Sequence, residues 1–175
     1  MNVTSNFTLV LGGAASGKSD FAEALTLQSA KAPVYLATAQ AFDDEMRRKI
    51  DDHIARRGDV WSTVETSLNA AQALSELTAR QICLFDCVTM WLSNQMMANT
   101  DIGAARVSLL KAIDSCAADI VVVSNEVGHG IVPENALARQ FREMQGRLNV
   151  ALAEQAGTVV QVTAGLPLVL KGSLT

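Results

Sequence analysis

Apolar positions along the chain fall into two alternating rhythms. Short, partly β-branched runs stand at Phe7–Leu11, Pro33–Ala37, Val60–Val64, Ile82–Phe85, Ile120–Val123 and Thr158–Val162, and they read as buried strands. Between them, Ser19–Ala30, Asp43–Arg57, Leu68–Ala79, Val88–Ala98, Ile102–Cys116 and Pro133–Ala156 carry helix formers with apolar spacings of three and four. Pro133 suits a first helical turn. Strand alternating with helix predicts an α/β fold, a mainly parallel sheet with helices on both faces and ligands at the carboxyl ends of the strands. No internal repeat or Pro/Ser-rich linker interrupts the pattern, so residues 1–175 read as one domain.

Composition narrows the function classes. With 49% hydrophobic and 18% charged residues the chain belongs with compact soluble domains rather than disordered or fibrous ones. Fourteen Lys and Arg against 18 Asp and Glu leave a net charge of −4, which disfavours nucleic acid and anionic membranes as partners. The longest apolar stretches fall short of the ~18–20 residues of a membrane helix, since Asp86 breaks one and Gly165 and Pro167 the other. Cys83, Cys87 and Cys116 form no CxxC pair and read as core thiols of a reducing compartment. Without a basic, signal-like start at its N-terminus, the chain is expected in the cytoplasm.

Candidate chemistry begins where the first apolar run ends. Gly12-Gly13-Ala14-Ala15-Ser16-Gly17-Lys18-Ser19 fits G-x-x-x-x-G-K-[ST] between a strand pattern and a helix pattern, the context expected of a phosphate-binding Walker A loop. Backbone N–H groups of such a loop wrap the β-phosphate, Lys18 reaches the β- and γ-oxygens, and the Ser19 hydroxyl ligates Mg²⁺. The acidic partner that holds Mg²⁺ through water belongs at the end of a neighbouring apolar strand, and Ile82-Cys83-Leu84-Phe85-Asp86 offers Asp86. Asp86 is equally placed to cap the helix that starts near Val88.

Asp43–Asp59 concentrates charge: Asp43, Asp44, Glu45, Arg47, Arg48, Lys49, Asp51, Asp52, Arg56, Arg57 and Asp59. Met46, Ile50 and Ile54 form an apolar stripe at spacing four, and His53 lies at its edge with Arg56 and Arg57 three and four residues on. Those arginines could share an anion with the imidazole and would favour its neutral, nucleophilic form. On spacing alone, the plainer reading is a partly exposed histidine in a salt-bridged helix. The loop from Asn125 to Asn135 follows the apolar run Ile120–Val123, so it joins the Walker loop's end of the sheet as a candidate acceptor-binding wall. His129 within it is a weaker candidate for chemistry. Trp61, Trp91, Met90, Met96 and Met97 read as core.

The combination of GGAASGKS, YLATAQAFDDEMRRKIDDHIARR with WSTVE, FDCVTMWLSN and SNEVGHGIVPENALARQFREMQGRLN resembles the bifunctional adenosylcobinamide kinase/adenosylcobinamide-phosphate guanylyltransferase family of cobalamin biosynthesis, from Leu9 to about Lys171. The resemblance implies a RecA-like P-loop NTPase fold and a homotrimer. It also implies two reactions: ATP or GTP phosphorylates the hydroxyl of adenosylcobinamide, then GTP gives GMP to adenosylcobinamide-phosphate. His53 falls on the family's guanylyl-accepting histidine. Nucleotide contacts fall on Gly12–Ser19, Ala37, Thr38, Ala39, Ile54, Ala55, Arg56, Arg57, Glu65 and Asp86. The sequence departs from the family at Ala15, at Gly58 after Arg57 and at Ser62, where arginine, proline and arginine are common. The residues alone leave open a small-molecule kinase without guanylyl transfer, or a nucleotide-gated regulator.

Overall fold

In a computed structural model, residues 4–39 and 58–174 are described. The helix expected over Asp43–Arg57 lies outside them. Strands β1 (Thr4–Gly12), β2 (Ala32–Ala37), β3 (Ser62–Glu65), β4 (Gln81–Asp86), β5 (Asp119–Asn125), β6 (Ala156–Thr163) and β7 (Leu166–Lys171) form one sheet in the order β3-β2-β4-β5-β1-β6-β7. Neighbours pair in parallel except β6 and β7. The parallel pairs require crossovers, and helices are described in those from β1 to β2, β3 to β4, β4 to β5 and β5 to β6.

Alternation along the strands divides the core in two. On one face, Phe7, Leu9, Phe85, Ile120 and Val122 pack with Trp91, Leu109 and Leu148. These come from α3 (Val88–Met97), α4 (Ile102–Ser115) and α5 (Ala136–Gln155), joined there by Ala70 and Leu74 of the short α2 (Ala70–Ser75). On the other, Val10, Leu84, Val121, Val123, Val160 and Val162 close over Ala22 of α1 (Lys18–Leu27). The central strands are thus apolar on both sides, which is why they read as unbroken hydrophobic runs.

Several expectations need correction. The run Val60–Val64 is not one strand: Gly58–Val60 form a 3₁₀ turn, and Ser62–Glu65 make an exposed edge strand. Leu68–Ala79 contributes helix only over Ala70–Ser75. Pro133 lies before α5 rather than in its first turn; Asn135 is the N-cap, its Oδ1 accepting from the Ala138 N–H at 3.1 Å. Met97 is 66% exposed and is not core. Strand β7 was not foreseen. It follows a hairpin turn at Ala164-Gly165, both with positive φ, and tolerates Pro167 because it is an edge.

Candidate active site

The loop between β1 and α1 is shaped by Gly17, whose φ of 87° places it in the left-handed region at the helix N-cap. A Cβ there would come within 3.0 Å of Gly165 Cα, and the Gly165 N–H donates to the Ser16 carbonyl at 2.8 Å. The β6–β7 hairpin therefore buttresses the phosphate loop from outside. Lys18 curls over that loop, Nζ donating to the Gly13 carbonyl at 3.3 Å. Ser19, in the first turn of α1, is half-buried. Ala14 and Ala15 are exposed, and Ala15 adopts a left-handed φ of 53° without being glycine.

Asp86 ends β4, two strands from β1. Its Oδ2 accepts from the Tyr35 hydroxyl at 2.8 Å. The N-cap of α3 is Cys87, with no side-chain cap bond, so the capping alternative for Asp86 is not realised. Cys87 is no nucleophile: burial, and after it the charge of Asp86, push its thiol up to about 12.

Beside it, Ala37 is half-buried, Ala39 exposed and Thr38 fully buried. Thr38 is committed to structure, its Oγ1 donating to the Cys87 carbonyl at 2.8 Å and accepting from the Cys87 N–H at 3.1 Å. Asn94 Nδ2 donates to the Thr38 carbonyl at 2.8 Å and to the Ser67 carbonyl at 3.1 Å, tying the ends of β2 and β3 to α3. Glu65 is exposed at the end of β3, in register with Ala37.

The loop after β5 is held from two sides. The Glu126 N–H donates to the Gly12 carbonyl at 3.0 Å, which fastens it to the phosphate loop. Arg142 of α5 donates to the carbonyls of Gly128 and Ile131, and Arg139 to that of Pro133. His129 is exposed within it. The structure thus gathers Gly12–Ser19, Ala37–Ala39, Glu65, Asp86 and the loop after Asn125 at the carboxyl ends of the strands. His53, Ile54, Ala55, Arg56 and Arg57 lie outside the described residues. Sequence reasoning missed Tyr35, which orients Asp86, and Asn94; each looks like an ordinary core residue until the strand register is known.

A glycine-rich loop leading from strand to helix, an aspartate at the end of a strand two places away, and a mainly parallel sheet covered on both faces define a RecA-like P-loop NTPase fold. An ATPase from the type III secretion system of pathogenic bacteria superposes with a TM-score of 0.54 at 11% identity, covering 90% of this chain and 51% of that one. A Pyrococcus horikoshii OT3 protein superposes with a TM-score of 0.53 at 9% identity, covering 98% and 88%. These likenesses establish the fold alone. Within it, residues 8–170 match the model of the cobinamide kinase/cobinamide phosphate guanyltransferase family, and the chain belongs to that family. Relatives include the bifunctional adenosylcobalamin biosynthesis protein CobP of Pseudomonas aeruginosa, 43% identical over 94% of this chain and 96% of its own length. The bifunctional adenosylcobalamin biosynthesis protein CobU of Escherichia coli K12 is 37% identical over 93% and 98%.

Proposed function

We propose that this protein phosphorylates adenosylcobinamide with ATP or GTP and then transfers GMP from GTP to adenosylcobinamide-phosphate through a guanylyl group on His53, giving adenosylcobinamide-GDP. The observation that carries the reading is a phosphate loop at the carboxyl end of β1 with Asp86 at the carboxyl end of β4, two strands away, in a chain of this family. Phosphoryl transfer to an alcohol needs positioning and charge neutralisation, which Lys18 and the loop N–H groups supply. Ser19 and Asp86 are the donors we assign to Mg²⁺. Among the described residues no cluster of three His, Cys, Asp or Glu could hold a metal alone. Two protein donors suit an ion whose other ligands are phosphate oxygens and water. When bound, Mg²⁺ neutralises the phosphate charge.

Guanylyl transfer is harder, because an anionic phosphate is a poor nucleophile. A neutral imidazole nitrogen of His53 attacks the α-phosphorus, the bond to the α–β bridging oxygen breaks, and pyrophosphate leaves with the electron pair. A phosphate oxygen of the acceptor then attacks the same phosphorus, the P–N bond breaks, and His53 is regenerated. Ala37, Thr38, Ala39, Glu65 and the Ile54–Arg57 segment are assigned to the nucleotide. We further assign the chain to the cytoplasm, as one domain forming a homotrimer. No helix among the described residues is long and apolar enough to cross a membrane.

The test uses GTP labelled at the α-phosphate. Wild-type protein with Mg²⁺ is expected to acquire an acid-labile, base-stable label, and its formation falls as pH drops through the imidazole pKa, since protonation removes the attacking lone pair. His53→Ala abolishes label and GMP transfer while phosphorylation of adenosylcobinamide persists; Lys18→Ala impairs both. Adenosylcobinamide-GDP formed by His53→Ala at a rate near wild type would remove His53 from the mechanism.

A further inference from the structure

Asp86 does not stand alone at the end of β4. Register pairs Tyr35 with Leu84 and Ala37 with Asp86, so the tyrosine lies one strand over and two residues toward the amino end from the aspartate. Tyr35, Ile82 and Leu84 share the core cluster that packs on α1, and by alternation Asp86 faces the same side. With strands about 4.8 Å apart and a rise of roughly 3.3 Å per residue, the Cα atoms of Tyr35 and Asp86 are about 8 Å apart, a span that a tyrosine side chain crosses. Its hydroxyl donates to Asp86 Oδ2 at 2.8 Å.

The phenol is itself held. Tyr35 is 4% exposed, and Trp61 meets it ring to ring, with centroids 5.8 Å apart and planes at 84°. Such a perpendicular contact is one that the aromatic quadrupoles favour. The sequence reads Trp61 as core; in the fold it is half-buried, at the rim of the cluster on which Phe21 and Leu25 of α1 also pack. Because α1 begins with Lys18 and Ser19, the phosphate-loop side chains and the two aromatic rings are positioned by one packed layer. A purely apolar contact would be served as well by phenylalanine at position 35. A buried hydroxyl demands an acceptor, and the acceptor here is the carboxylate.

We propose that Trp61 and Tyr35 act in series as positioning residues for the magnesium site. Trp61 fixes the tilt of the phenol, the phenol hydroxyl holds Asp86 Oδ2, and Oδ1 is thereby kept toward the phosphate loop to accept from a water of Mg²⁺. This arrangement rests on the assignment of Asp86 to Mg²⁺ made above. An unheld aspartate is spread over several rotamers, most of which miss the ion; holding one oxygen in advance removes that ordering cost from binding. The effect therefore falls on metal-dependent affinity for the triphosphate and not on the fold. Both residues act through Asp86, and neither is a catalytic residue.

The test reads Mg²⁺ dependence by calorimetry, without turnover. GTP affinity is measured in EDTA and at graded Mg²⁺ for wild type, Tyr35→Phe, Trp61→Phe, Trp61→Ala, Asp86→Asn and Asp86→Asn combined with Tyr35→Phe. The thermal midpoint of each nucleotide-free protein is measured alongside. Tyr35→Phe keeps the ring and is expected to raise the Mg²⁺ concentration at half-effect about fivefold, less than loss of the carboxylate charge itself. Its GTP affinity in EDTA stays within about twofold of wild type, and its midpoint within a few degrees. Trp61→Ala shifts the Mg²⁺ requirement about threefold in the same direction, and Trp61→Phe, which keeps an aromatic ring there, stays near wild type. In the Asp86→Asn background Tyr35→Phe adds nothing, because the residue it acts through is already lost.

An unchanged Mg²⁺ requirement in Tyr35→Phe, with Asp86→Asn raising it, overturns the positioning role. So does the same shift persisting in the Asp86→Asn background. A lowered midpoint with equal loss of GTP affinity in EDTA and in Mg²⁺ also overturns it, and would make Asp86 merely the group that satisfies a buried hydroxyl. A shift in Tyr35→Phe with none in Trp61→Ala overturns the series and takes Trp61 out of it. Unchanged Mg²⁺ dependence in Asp86→Asn removes the metal assignment and the inference with it, a result told apart from the others because that variant leaves both rings in place.

Discussion

Asp86 shows how one residue's role is decided by its neighbours. From the sequence it could cap a helix or hold a magnesium ion, since an aspartate between strand and helix is suited to both. The fold gives the N-cap place to Cys87 and fixes one Asp86 oxygen on the Tyr35 hydroxyl, which leaves the carboxylate oriented and without a capping role. Asp86→Asn is therefore expected to weaken Mg²⁺-dependent GTP binding about tenfold, while the thermal midpoint moves by only a few degrees. Titration of the variant with GTP at graded Mg²⁺ checks this, and a large loss of stability with Mg²⁺ dependence intact would return Asp86 to a structural role. The phosphate loop was legible in the string because its chemistry is carried by contiguous residues. Tyr35 and Asn94 were not, because what marks them is strand register and buried hydrogen bonds, neither of which a linear sequence displays.

Elements with both faces buried were read well, and elements at the edges were not. Strands β1, β4 and β5 are apolar runs because helices cover both sides; β3 is an exposed edge whose residues carry little burial signal, and β7 is an exposed edge although its residues are apolar. Pro167 masked β7 further, since proline argues against a strand anywhere but an edge. Helix α5 was foreseen from its periodicity, but not the polar seat that fixes it. Ser124 donates to Asn149 Oδ1 at 2.5 Å, Gln145 Nε2 donates to Ser124 and to Asn149 at 2.8 and 2.9 Å, and Asn149 Nδ2 reaches the Asn125 carbonyl. All three side chains are buried. Asn149→Ala leaves the Asn125 carbonyl without its donor and the Ser124 hydroxyl without its acceptor, a cost of about 2–4 kcal/mol. At roughly 2–4 °C per kcal/mol for a chain of this size, differential scanning calorimetry should find the midpoint lower by about 4–16 °C. A shift under 2 °C would mean that water replaces the network at no cost.

At the scale of the molecule, the sheet that brings the phosphate loop and Asp86 together also encloses three thiols. Cys83, Cys87 and Cys116 are all free and buried, as the absence of CxxC spacing led one to expect. Burial raises all three above the ordinary value of 9.0, Cys87 up to about 12, with the neighbouring Cys116 adding to the effect at Cys83. Below pH 9 folded and unfolded chains both keep these protons, and the stabilising difference is fully present. As pH rises past 9 the unfolded chain ionises its thiols while the folded chain cannot, so the unfolded state binds fewer protons and stability declines until the folded values are reached. Each thiol held in this way contributes a slope of about 1.4 kcal/mol per pH unit. Urea unfolding at about pH 8 and about pH 10.5 should show the decline, and Cys83→Ala should make it shallower by roughly that amount per unit. The small cavity left by Cys83→Ala costs the same at both pH values and cancels in the comparison. Parallel declines in wild type and Cys83→Ala would mean that the loss at high pH comes from lysine and tyrosine titration, and that the Cys83 thiol ionises as readily inside the fold as outside it.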